Sequence, residues 1–217
     1  MLPPDLYKRI KNIPITGSSL VNELARYRGN RQYLAGANKL FSLERSGEII
    51  RLKRGLYVLD ASEFGFPPSG PIASNHIYGP SYLSSQWALS FYGLIPERVT
   101  IYTASTLKHT RTFENKLGLF VYRQFPQAYF SIGIVPSQMD GATFLMASPE
   151  KALLDLVLSV EHVPANSMAA LLRYFDEDIR LEISELKHFD LDILSRCAVV
   201  SPKKSTIHTL IKLIQKL

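Results

Sequence analysis

A segment rich in turn-forming residues divides this chain of 217 residues into two unequal parts. It covers residues 61–71 (ASEFGFPPSGP) and holds three prolines, two glycines and two serines. Such a composition favours turns and extended backbone over the interior of a helix or strand. We therefore predict a first domain at 1–62, a linker at 63–71 and a second domain at 72–217. The two domains are expected to keep separate cores and to meet through a limited interface.

The positive charge of the chain is concentrated before this segment. Residues 1–60 hold eleven basic and five acidic residues, whereas the rest of the chain holds fourteen of each, so the first part carries the whole net charge of +6. Such asymmetry indicates that one part of a protein handles a polyanion. An ordinary solvated surface with unevenly spread charge is the alternative.

Apolar spacing in the first domain predicts three helices and a hairpin. The helices are expected near residues 6–13, at 19–27 and at 31–46, the last ending at Gly47. Two β-prone runs follow at 48–52 and 56–59, joined by the basic turn Lys53-Arg54-Gly55. In the third helix the apolar side is expected to comprise Leu34, Ala37, Leu40 and Phe41. This order of elements is typical of a winged helix-turn-helix.

The third helix and the basic hairpin are the candidate DNA-binding elements. A helix whose polar face offers Arg, Asn, Lys and Ser can enter the major groove, where Arg and Asn distinguish bases. The hairpin would bring its basic residues near phosphates or into the minor groove. The candidate DNA-binding residues are Arg28, Arg31, Gln32, Asn38, Lys39, Ser42, Arg45, Arg51, Lys53 and Arg54. Helix-hairpin units of this shape also serve as modules that bind a protein partner, so that alternative stays open.

The pattern after residue 71 predicts a larger domain of mixed α/β structure, so the fold class of the chain is α+β. A helix is expected at 80–92, closed by Gly93, and helices dominate after residue 148. Strands are expected at 98–105, 118–125, 129–135 and 142–146, with a hairpin turn at Asp140-Gly141.

No enzymatic motif is compelling in this sequence. Ser148-Pro149-Glu150-Lys151 has the spacing of a serine activated by a lysine, but the partner motifs of that chemistry are absent. Serine as cap, proline at the first position and glutamate in the first turn all favour a helix start instead. The sequence has no phosphate loop, dinucleotide fingerprint or nucleophile elbow. We expect no catalytic activity and no cofactor.

Neither a metal site nor a membrane partner is expected. The five histidines are scattered, and the single cysteine, Cys197, fits a small buried hydrophobe better than a ligand. The chain has no apolar run of about eighteen residues, and its N-terminus lacks the order of a signal peptide. A cytoplasmic location is therefore expected.

Three segments together resemble one family. They are RLKRGLYVLD, IYGPSYLSSQWALSFYGLIP and ASPEKALLDLVL, and they are similar to segments of the AbiEi antitoxins of bacterial abortive-infection systems, which are type IV toxin-antitoxin pairs. The resemblance runs from about residue 20 to residue 160. It implies an N-terminal winged helix that binds inverted repeats in the protein's own promoter and represses that operon. It also implies a C-terminal domain that counteracts a nucleotidyltransferase-like toxin, without a need to bind that toxin stably.

The resemblance also assigns roles to residues. Arg51, Lys53 and Arg54 match the basic stretch of the wing, and Gly55 and Tyr57 match its return strand. An architectural role is implied for Tyr82, Ser85, Ala88, Leu89, Gly93, Pro149, Glu150, Lys151, Leu154 and Asp155. The chain departs from the family at Ala35-Gly36-Ala37, a helix-weakening run in the recognition helix. The leading hypothesis is an autoregulatory, antitoxin-like repressor; the rivals are a protein-interaction module and an enzyme acting on nucleic acid.

Overall fold

The structure is a computed structural model that describes residues 13–28, 36–60, 62, 67–139, 141–160, 163–164 and 167–217. Over these ranges the chain is a mixed α/β protein with a three-stranded and a six-stranded sheet. None of the helices in these ranges is long and apolar enough to cross a membrane.

The first part of the chain forms two helices and a small antiparallel sheet. Its elements are β1 (Ile15–Thr16), α1 (Gly17–Arg28), α2 (Gly36–Arg45), β2 (Ile49–Lys53) and β3 (Leu56–Leu59). The strand order is β1-β3-β2. The predicted second helix and the predicted hairpin are confirmed, while the predicted first helix up to residue 12 and residues 31–35 of the third lie outside the described residues. Gly47 and Gly55 have φ of 80° and 79°, the left-handed backbone that these two turns require.

The buried side of α2 differs from the prediction at one position. Leu43 is fully buried and Leu40 half-buried, and both pack against the sheet and α1 through Leu20 and Tyr57. Phe41 was expected on this side, but 68% of its surface is exposed. The prediction was wrong because each helical residue turns by about 100°, so a stripe through Leu40 and Leu43 directs Phe41 away from the sheet.

The second part is built around the six-stranded sheet. Its strands are β4 (Ser81–Leu83), β5 (Tyr102–Thr106), β6 (Arg111–Asn115), β7 (Gly118–Gln124), β8 (Ile134–Met139) and β9 (Ala142–Ala147), in the order β6-β7-β5-β4-β9-β8. The pairs β4·β9 and β5·β7 are parallel and the others are antiparallel. The helices are α3 (Gly70–Ile77), α4 (Ser85–Phe91), α5 (Gln127–Phe130), α6 (Pro149–Ser159), α7 (Met168–Arg173), α8 (Leu191–Val200) and α9 (Lys204–Ile214).

Several expectations for the second part hold and others are wrong in part, including the strand predicted at 98–105, which begins only at Tyr102. Helix α6, the hairpin between β8 and β9, and the left-handed Gly93 are confirmed. The predicted helix at 80–92 is wrong in its first half, because residues 81–83 are a strand in the middle of the sheet, bonded to β5 and β9. The predicted strand at 129–135 is wrong at its start, where α5 lies. Strand β6 and helix α3 were not predicted.

The hairpin β2-β3 is apolar on both faces. One face packs on α1 and α2 through Ile49, Tyr57 and Leu59. The other face, with Ile50, Leu52 and Val58, shares a core with α3 and the large sheet, whose contributions are Ala73, Ile77, Ala104, Phe120 and Tyr122. The expectation of separate cores is therefore wrong at this hairpin.

Candidate nucleic-acid interface

The exposed face of α2 carries polar and basic side chains around one aromatic ring. Asn38, Phe41, Ser42 and Arg45 are all exposed and recur at spacings of three and four residues, so they share one side of the helix. Lys39, also predicted as a site residue, is half-buried. Arg28 ends α1, but its side chain lies outside the described part, as do Arg31 and Gln32 entirely.

The hairpin turns its basic residues in different directions. Arg51 is exposed and lies on the same face of β2 as Ile49, which packs toward the helices. Arg54 is exposed at the turn. Lys53 is half-buried, and its Nζ donates a hydrogen bond to the carbonyl oxygen of Ile77 at 2.5 Å. The hairpin therefore offers two guanidinium groups to solvent, while its lysine holds the end of α3.

The environment of Lys53 is positively charged. Burial lowers the pKa of Lys53, and the nearby cations Lys108 and Arg111 lower it further. Neither of these two residues was predicted as part of a site. The signal that could have found them is local, because residues 108–123 contain four basic residues and one acidic residue although the chain after residue 60 as a whole is neutral.

Three exposed guanidinium groups belong to this surface, those of Arg45, Arg51 and Arg54. Over the described ranges, none of Arg45, Arg51 and Arg54 forms a salt bridge with a carboxylate. A set of exposed cations without counter-charges attracts a polyanion more strongly than paired cations do. Arg45 also lies in the last turn of α2, where a cation is stabilised by the helix dipole.

A buried polar network joins the two second-domain segments that carry the family resemblance. Asp155 accepts hydrogen bonds from Ser84 Oγ at 2.6 Å, Ser105 Oγ at 2.7 Å and the Tyr129 hydroxyl at 2.7 Å. The ammonium of Lys151 lies 3.3 Å from the same carboxylate, and both side chains are fully buried. Burial lowers the pKa of Lys151, and the Asp155 carboxylate opposes that shift. These partners hold helices and sheet together, as expected of architectural residues.

The geometry around Ser148 is that of a helix start. Its side chain accepts a hydrogen bond from the backbone N–H of Lys151 at 3.4 Å, as an N-cap does. The ammonium of Lys151 is held by Asp155 and by the carbonyl oxygen of Tyr129 at 2.9 Å. That ammonium is thus engaged elsewhere, which supports the prediction of a cap over that of a serine nucleophile.

The remaining candidate groups do not assemble into a site. Over the described ranges, no three His, Cys, Asp or Glu residues lie close enough together to hold a metal ion. Cys197 is fully buried, as predicted, and burial raises the pKa of its thiol to about 11. No model of a known protein family matches the chain, and a search of curated proteins gives no significant match.

Proposed function

We propose that the first part of this protein is a winged helix-turn-helix that binds duplex DNA, with α2 as the recognition helix and β2-β3 as the wing. The element order helix, helix, hairpin and the strand order β1-β3-β2 support this proposal. The observation that carries it is the exposed face of α2 together with the exposed Arg51 and Arg54.

Each group on this surface has a contact that it can make on DNA. Asn38 can form hydrogen bonds with an adenine edge and Arg45 with guanine, while Ser42 can form a hydrogen bond with several different bases. Arg51 and Arg54 are suited to phosphate oxygens, which position a protein without reading sequence. Phe41 can contact the methyl group of thymine, which is the apolar feature of the major groove.

The full proposal is an autoregulatory repressor that also acts as an antitoxin, with no catalytic step of its own. The repressor half rests on the basic surface just described. The antitoxin half, directed against a nucleotidyltransferase-like toxin, rests on the resemblance of the second and third segments to AbiEi proteins. The partners are double-stranded DNA with inverted repeats from the protein's own promoter and a cognate toxin.

A binding titration tests the DNA-binding proposal. The full chain is titrated against a duplex from the region upstream of its own gene and against a shuffled duplex of equal length and composition. We expect tighter binding to the upstream duplex and a linear fall of log K with log salt, by about 0.9 for each neutralised phosphate. Salt-independent binding, or none to either duplex, would rule out the proposal and favour a surface that binds a protein.

A further inference from the structure

Two cations stack on a pair of aromatic rings beside the hairpin, and a third cation from a distant part of the chain lies close by. Lys108 Nζ lies 5.1 Å from the ring centroid of Tyr78, and Arg111 Cζ lies 5.0 Å from that of Phe113. The two rings are 5.4 Å apart. Lys53 reaches the same place from the hairpin, because it bonds to Ile77, the residue before Tyr78.

The cluster has no counter-charge over the described part of the chain. None of Lys53, Lys108 and Arg111 forms a salt bridge there. Glu114 is the one acidic residue among residues 108–123. Strand alternation puts it on the other face of β6 from Arg111 and Phe113. Lys108 and Arg111 are both exposed, so their charge faces solvent.

The cluster is fixed next to the hairpin. Asn115, at the end of β6, donates a side-chain hydrogen bond to the carbonyl oxygen of Leu52 at 3.1 Å. Leu52 and Val58 pack against Phe120 and Tyr122 of β7 just behind. The end of β6 therefore lies beside the face of the hairpin that points away from α1 and α2, and Lys108 and Arg111 before it are near enough to Lys53 to lower its pKa.

We propose that Lys108 and Arg111 form a second phosphate-binding surface, which holds the DNA backbone on the flank of the hairpin opposite the recognition helix. This proposal rests on the proposed function. The second domain would then take part in DNA binding directly, through contacts that add affinity without base selectivity. The bound duplex would have to extend past the hairpin for these contacts to form.

The test compares two double variants of the full chain. Lys108→Gln with Arg111→Gln removes the two cations, and Lys187→Gln with Lys212→Gln removes two exposed cations from the C-terminal helical region. On the upstream duplex we expect the first pair to lower the salt slope by about two and to weaken binding equally on the shuffled duplex. The control pair should leave the slope within the error of the wild type.

A second measurement needs no variant. Neutral methylphosphonate linkages are placed in the flanks of the upstream duplex, outside the inverted repeats. We expect the wild-type chain to lose affinity when one flank is neutralised, and a duplex trimmed of that flank to bind equally weakly. The Lys108→Gln, Arg111→Gln variant should bind the neutralised and normal duplexes alike.

The outcomes separate this proposal from the one on which it rests. If the wild type binds the upstream duplex but is indifferent to flank neutralisation, or if both double variants change the slope equally, the second surface does not exist and the recognition proposal stands. If the wild type binds no duplex, the recognition proposal itself fails. If the Gln pair lowers the melting temperature, Lys108→Arg with Arg111→Lys should restore the wild-type slope, and failure to do so counts against the phosphate role.

Discussion

Lys151 and Asp155 place a full ion pair in the interior of the second domain. They are four residues apart on α6, and both side chains are fully buried. An ion pair in this position is a poor source of net stability, because both charges lose their water, but losing one partner is costly. The serine and tyrosine hydroxyls around Asp155 supply the further hydrogen bonds that make the burial tolerable.

This leads to a prediction about stability. Asp155→Asn should lower the free energy of unfolding by about 3 to 5 kcal/mol, because the buried ammonium of Lys151 loses its counter-charge. The matched control is Asp192→Asn, which breaks the exposed pair with Arg196 at the same helical spacing and should change little. Both are measured by urea denaturation. Equally small losses in the two variants would mean that Lys151 is uncharged in the folded protein.

Phe41 gives a prediction about specificity. Thymines of the upstream duplex are replaced by deoxyuridine one at a time. Each replacement removes one methyl group and keeps every hydrogen-bonding group of the base. Burial of a methyl group contributes about 0.8 kcal/mol, so the wild type should bind the uridine duplex about fourfold more weakly. Phe41→Ala should bind both duplexes alike.

The control for Phe41 is Arg54→Ala, which should weaken binding to both duplexes by the same factor and keep the difference between them. If Phe41→Ala still distinguishes thymine from deoxyuridine, another residue contacts the methyl group.

At the scale of elements, two neighbouring residues of the hairpin β2-β3 have different roles: Arg54 faces solvent, and Lys53 holds the end of α3. Arg54→Ala should reduce the slope of log K against log salt by about one and leave the melting temperature unchanged, because Arg54 is exposed at the turn. Lys53→Ala should have the smaller effect on the slope and should lower the melting temperature, because the Ile77 carbonyl loses its donor. Salt titrations and thermal scans of both variants check this. The reverse ranking would mean that Lys53 leaves Ile77 when DNA binds.

The elements that sequence predicted well are those with a strong local signal. Helix α6 has a cap, a proline in its first turn and an apolar stripe, and β2-β3 has two β-prone runs with a glycine turn. Strand β4 has three residues, too few for an alternating pattern, and it became a strand because β5 and β9 bond to it on both sides. No local rule could supply those two partners.

Gly70 shows at a single position that local sequence rules cannot supply tertiary contacts. In sequence it belongs to a segment of turn formers, whereas in the structure it begins α3, with Ser69 as the cap and Pro71 in the first turn. A Cβ at Gly70 would overlap the ring of Tyr102, so the glycine is needed for close packing rather than for a flexible link. Lys108 and Arg111 belong to a local run of basic residues that the sequence does show, but only the tertiary fold brings them beside Lys53.

At the scale of the whole molecule, we expect repression and toxin neutralisation to be separable. Arg51→Ala with Arg54→Ala in the full chain should derepress a promoter reporter and leave protection against a toxin supplied from another promoter intact. Both residues are exposed and neither belongs to the described cores, so the second domain keeps its structure. A growth-rescue assay run beside the reporter checks this. Loss of both activities in a folded variant would mean that protection requires DNA binding.

Truncation cannot separate the two activities as cleanly. A fragment beginning near residue 69 lacks Ile50, Leu52 and Val58, which complete the core around Ile77, Phe120 and Tyr122. Such a fragment would expose these apolar side chains and tend to aggregate. Its failure would therefore say nothing about the role of DNA binding in protection.

The packing of the hairpin β2-β3 on both faces also determines where this chain can be joined to a related one in a chimera. A chimera joined in the turn-rich segment after residue 60 would bring in a foreign hairpin. The apolar side chains of that hairpin would then have to fit α3 and the large sheet of this chain by chance. A crossover at the turn around Gly47 exchanges β1, α1 and α2 and keeps the native β2-β3 against the large sheet. The grafted part must then pair with β3 and fit Ile49, Tyr57 and Leu59. Under the proposed function, we therefore expect new DNA specificities to be easier to obtain by changing the exposed face of α2 than by exchanging whole N-terminal domains.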